Sequence, residues 1–187
     1  YCGLVALGAE ALPAVRTGLL NGHWQVRRWC TILLDHLADP ETLELLVPLL
    51  HDPKANVRMW AVHSLSCDRC KKDANPIDVV PLLIERIEHD DSIRVRRMAV
   101  AMLAQHVAPD VRVVPIFEGV LADESDRKLR LHATDGLERY REALANTAKA
   151  RAMLNDLFAD YDVFITPSIP GEAPQDLVSV HPSLFNR

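Results

Sequence analysis

One helical register, repeated four times, constrains this 187-residue chain more than any other feature. Val26-Arg27, Val57-Arg58, Val95-Arg96 and Leu129-Arg130 follow one another at intervals of 31, 38 and 34 residues. Five residues before the Val or Leu of each pair stand Asn21, Asp52, Asp90 and Glu124. Four residues after it stand Cys30, Ala61, Ala99 and Ala133, and eight after it Leu34, Leu65, Leu103 and Leu137. Positions 0, +4 and +8 share one face of a helix. The small residue at +4 admits a neighbouring helix at close range, and the Leu at +8 fills the layer above. The polar residue at −5 falls in the turn before the helix, where Asn and Asp accept from free backbone N–H groups. A period of this size denotes stacked supersecondary units, none of which buries its apolar face alone.

A second apolar stretch with helical spacing precedes each pair: 12–20, 43–50, 79–87 and 111–121. Each unit therefore reads as helix, short polar turn, helix. Pro13, Pro81 and Pro115 fit first helical turns, where a missing N–H costs nothing. Pro48 comes later in its stretch and is expected to kink or split that helix.

The −5 acid or amide, the Val-Arg pair, the small +4 residue and the +8 Leu together resemble the HEAT repeat family, in particular its short bacterial units. The resemblance covers about residues 1–141. It implies an all-α, right-handed α-solenoid of about four helical hairpins, with the second helices lining the concave face. It also implies protein interaction more than catalysis.

Composition agrees with an aliphatic helical protein: 49% hydrophobic residues but only 5% aromatic. That balance argues against intrinsic disorder. The net charge of −5 gives no global basic field for nucleic acid. No apolar run reaches the length of a membrane span, and the start shows no basic–apolar–small leader pattern. The four cysteines, Cys2, Cys30, Cys67 and Cys70, are too few and too irregular for a secreted disulfide framework. A cytoplasmic protein is the expectation.

Three groups of side chains invite a functional reading beside a structural one. Arg27, Arg58, Arg96 and Arg130 read as an Asp–Arg ladder between units. With Arg28, Arg94, Arg97, Arg127 and Lys128 they also read as a basic ridge of the kind that phosphates reward. Interleaved acids favour the ladder. Trp24, Trp29 and Trp60 cluster in the first two units, and Trp29 and Trp60 share position +3, where they could stack. They fit core packing, or an interface hot spot. His63, Cys67 and Cys70 form His-x3-Cys-x2-Cys at the end of the second unit, where the interval grows to 38. Thiolates two residues apart can share a tetrahedral metal, with His63 one turn earlier as a third ligand. No fourth ligand is evident, and an incidental or redox CxxC stays open.

After about Glu142 the register stops. Leu144 to Asp160 keeps a helical pattern, with Leu144, Ala148, Ala152 and Phe158 on a stripe, and is expected to cap the last repeat. Tyr161 to Pro167 then reads as a short strand, followed by a loop containing Pro170, Pro174 and Pro182. Tyr161-Asp162-Val163-Phe164-Ile165-Thr166-Pro167, Gly171-Glu172-Ala173-Pro174 and Phe185-Asn186 resemble, in that order, the C-terminal region of amidase signature enzymes over residues 150–187. That resemblance implies a Ser/Ser/Lys catalytic relay in a Gly/Ser-rich loop. No such loop exists among the seven glycines here, so no catalytic residue carries over.

The sequence therefore predicts a repeat domain over 1–141 and an extended, largely irregular tail over 142–187. The predicted role is a scaffold that binds another protein and has no catalytic activity or cofactor. Arg28, Trp29, Trp60 and Arg97 are the expected binding surface. The alternatives are a piece of an amidase-type hydrolase fusion or, less favoured, a binder of nucleic-acid backbone.

Overall fold

The computed structural model describes residues 8–37, 40–67, 70, 75–105 and 110–160. Cys2, the linker residues Asp68 and Arg69, and the amidase-like stretch over 161–187 lie outside them. The described elements are helical throughout. A 3-10 turn at Gly8–Ala11 leads into α1 (Leu12–Leu19), followed by α2 (Trp24–Leu37). A short α3 (Pro40–Leu43) continues into 3-10 turns at Glu44–Leu46 and Pro48–His51, ahead of α4 (Ala55–Ser66). Then come α5 (Val79–His89), α6 (Ile93–Gln105), α7 (Val113–Asp123) and α8 (Arg127–Asp160). These are four helical hairpins in an α-solenoid.

The prolines act as their positions dictate. Pro13, Pro81 and Pro115 sit in the first turns of α1, α5 and α7. Pro48 has no N–H for a helical bond, and its ring clashes one turn back. The first helix of the second unit accordingly breaks there into two 3-10 turns.

Second helices stack on one another, α2 on α4 and α4 on α6, and the first three hairpins each close on themselves. The predicted register carries this packing. Val57, Val95, Leu129, Ala61, Ala99, Ala133, Leu34, Leu65, Leu103 and Leu137 are all buried in one continuous apolar core. Val26 is the exception, partly exposed in the first hairpin, with no described unit before it. Close approach is visible at Gly136, where a Cβ would lie 2.6 Å from the Phe117 ring and 3.1 Å from the Ala104 Cβ.

The chain divides into two compact units, 1–146 and 147–187. Helix α8 runs unbroken past the repeat register to Asp160. Leu144, Met153, Leu154, Leu157 and Phe158 are exposed along this stretch.

Candidate functional site

The recurring Arg builds the joints between units. The −5 residue folds an Asx-type turn: Asn21 Oδ1 accepts from His23 N–H at 2.9 Å, Asp52 Oδ1 from Lys54 at 2.8 Å and Asp90 Oδ1 from Ser92 at 2.9 Å. Glu124 does the same for Asp126 N–H at 3.0 Å. In the first three units the Arg then donates to the −5 carbonyl of its own unit: Arg27 to Asn21, Arg58 to Asp52 and Arg96 to Asp90. Its remaining N–H groups reach the −5 carboxylate of the next unit. Arg27 clasps Asp52 at 2.6 and 2.9 Å, Arg58 clasps Asp90 at 2.8 Å twice, and Arg96 meets Glu124 at 3.1 Å. Two parallel N–H···O bonds to one carboxylate are the strong, geometrically selective form of this pairing.

The Arg58–Asp90 pair is the most enclosed, with side chains only 9% and 1% exposed. Burial pushes the Asp90 carboxyl up. The Arg58 hydrogen bonds, the Ser92 N–H and the charges of Arg58 and Arg86 outweigh burial and hold it below its ordinary value. Four arginines of the predicted ridge thus spend their charge on carboxylates of this chain: Arg27, Arg58, Arg96 and Arg97, the last donating to Asp126 at 2.9 Å.

Trp29 projects from α2, 48% exposed, with the Arg28 guanidinium 4.9 Å above its ring. Trp60, at the equivalent place on α4, is partly buried and meets the His63 imidazole edge-on at 5.5 Å. Trp24 packs on the core.

His63, Cys67 and Cys70 come together, and the structure adds the residue that sequence reasoning missed. Asp35, near the end of α2, is buried beside them. One ligand atom from each of Asp35, His63, Cys67 and Cys70 falls within 4.8 Å of all the others. The Sγ atoms of Cys67 and Cys70 are 3.1 Å apart, His63 Nε2 is 4.0 Å from Cys70 Sγ, and Asp35 Oδ2 is 3.3 Å from His63 Nε2. Helix α4 supplies His63 and ends at Cys67, whose N–H still donates to His63 C=O at 2.9 Å. Cys70 N–H in turn donates to Cys67 C=O at 3.2 Å, folding the second sulfur back onto the first. The Cys70 thiol is pushed up to about 12, by burial first and then by Cys67 and Asp35.

Residues 12–73 match the family of HEAT repeats. The matched stretch holds the first two hairpins and the whole Asp/His/Cys cluster. Outside the match, the Arg96–Glu124 pair joins the third hairpin to the fourth in the same manner. No curated protein matches the chain.

Proposed function

We propose that this chain is a HEAT-type scaffold that binds another protein through its layer of second helices and performs no chemistry of its own. The stacked hairpins that match HEAT repeats over 12–73 carry this reading. Such stacks present long continuous faces, and their use is commonly protein interaction. Arg28 and Trp29 form the centre of the binding surface, because a large exposed ring already held by a cation loses little freedom on binding. Trp60 and Arg97 extend the surface along α4 and α6. No helix among the described residues is long and apolar enough to cross a membrane. Against nucleic acid stands the pairing of Arg27, Arg58, Arg96 and Arg97 of the ridge with internal carboxylates. The hydrolase alternative rests on the sequence of residues 150–187 alone.

The test is site-specific photo-crosslinking in cells from position 29, compared with position 118, an exposed site on the layer of first helices. A discrete adduct from 29 and none from 118 is expected. With the captured protein purified, Trp29→Ala should weaken binding by about tenfold or more, as loss of an interface anchor does. Equal adducts from both faces, or unchanged affinity in Trp29→Ala, would remove this surface from the proposal.

A further inference from the structure

We propose that Asp35, His63, Cys67 and Cys70 form a structural zinc site that staples the first HEAT-type unit to the second. Two thiols, an imidazole and one carboxylate are a borderline-soft donor set that suits Zn2+ and excludes the hard cations Ca2+ and Mg2+. Four protein ligands close a tetrahedral site and leave no position for substrate, which makes the site structural.

The distances fit such a centre. With metal–sulfur bonds of about 2.3 Å and metal–nitrogen or –oxygen bonds of about 2.0 Å, a tetrahedron has S···S edges of about 3.8 Å, S···N of about 3.5 Å and N···O of about 3.3 Å. The observed separations are 3.1 Å for the sulfurs, 4.0 Å for Cys70 Sγ to His63 Nε2 and 3.3 Å for His63 Nε2 to Asp35 Oδ2. The sulfurs stand closer than the ideal edge, Cys70 Sγ to His63 Nε2 stands farther, and His63 Nε2 to Asp35 Oδ2 matches it.

Asp35 faces the same imidazole nitrogen as Cys70 does. A carboxylate that merely oriented a liganding histidine would sit on the other ring nitrogen. Sharing Nε2 as its near neighbour makes Asp35 a ligand beside His63, on the interior side of the centre. Binding converts both thiols to thiolates and releases their two protons to solvent, so affinity rises with pH. The centre joins the end of α2 to the end of α4 and to Cys70 beyond it, at the one interval where the repeat spacing lengthens. Trp60, edge-on to His63, places a fluorophore next to the metal.

The experiment is anaerobic titration of the reduced full chain with Co2+ alone, followed by Zn2+. One Co2+ per chain is expected, with the intense visible bands of a tetrahedral site, a thiolate-to-cobalt charge-transfer band, and quenched tryptophan emission. Zn2+ should bleach both absorption features and raise the melting temperature. Asp35→Asn and Cys70→Ser should each weaken Zn2+ binding at least about tenfold, the scale on which even outer residues of such sites act. The wild-type spectrum decides the matter even if a variant folds poorly. A weak octahedral spectrum, no bound Co2+, or Zn2+ affinity unchanged in both variants overturns the proposal. So does a chain indifferent to metal whose Cys67 and Cys70 pair as a disulfide in air. The site stands or falls independently of the protein partner, since no partner is present in the titration.

Discussion

Asp90→Ala tests whether the joints between units hold the solenoid together. The substitution removes the acceptor for both Arg58 hydrogen bonds at 2.8 Å and for the Ser92 N–H at 2.9 Å. It leaves two guanidiniums, those of Arg58 and Arg86, each only 8% exposed. Breaking a buried pair by deleting one partner costs about 3–5 kcal/mol. Arg58 keeps the Asp52 carbonyl and the exposed Asp91 carboxylate, which places the loss at the lower end, about 3 kcal/mol. Against a total of about 5–15 kcal/mol that is a large fraction. In a stack where each unit touches only its neighbours, the loss falls on the joint between units two and three.

The three tryptophans all lie in units one and two, whereas far-UV circular dichroism reports every helix. Urea unfolding of the wild type should give coincident fluorescence and dichroism transitions. In Asp90→Ala the dichroism transition should move to lower urea and separate from the fluorescence transition. A destabilisation below about 1 kcal/mol would put the pair in the class of exposed surface bridges and refute the reasoning.

The remaining predictions use the same assay. Gly136→Ala gains about 1 kcal/mol of helix propensity but drives a methyl into the Phe117 ring at 2.6 Å, an overpacking that costs about 1–3 kcal/mol. The net expectation is a lower urea midpoint, recovered when Phe117→Leu is added. Gly119→Ala, with nothing within 4 Å of the added carbon, should instead raise the midpoint by up to about 1 kcal/mol. The carboxyls of Asp90 and Glu124 both lie below their ordinary values in the fold, Glu124 chiefly through the Asp126 N–H. As pH falls the unfolded chain therefore takes up protons first. The stability these groups supply is complete above the ordinary carboxylate range and is lost as pH drops through and below it. The midpoint should hold between about pH 7 and 5 and then fall steadily toward about pH 3, less steeply in Asp90→Asn. A wild-type midpoint that ignores pH over that span would show that these carboxylates do not contribute.

The sequence was legible wherever one position meant the same thing in every unit. Positions 0, +4 and +8 identified the buried face of each second helix because burial there depends only on helix geometry. The −5 carboxylate and the Arg of the preceding unit could be paired because each keeps its place in its own unit, although they stand 25, 32 and 28 residues apart. Pro48 announced its break because a missing N–H acts locally. Asp35 was not legible, since its partners His63, Cys67 and Cys70 lie 28, 32 and 35 residues away. In isolation it is one more acid near the end of a helix. Its place directly after the inward Leu34 is no signal either, because units two and three carry Ser66 and Ala104 there and unit four the exposed acid Glu138.

The interval between units two and three shows which interaction sets the stack. Second helix and next first helix are separated by residues 38–39 after unit one but by residues 67–78 after unit two. Yet the Arg-to-carboxylate joint across the longer connector is the most enclosed of the three, with both hydrogen bonds at 2.8 Å. Connector length therefore does not dictate the register. The joint forms where each second helix begins, whereas the connector leaves from where that helix ends, so the two can vary separately. At that far end the extra residues have their own anchors: Asn75 donates to Leu65 C=O at 2.6 Å, and the Asp35, His63, Cys67 and Cys70 cluster gathers the other side. A loop of this length adds little closure cost once both ends are fixed. The lengthened interval is thus compatible with an undisturbed stack, and the metal site proposed at its start lies away from the joint.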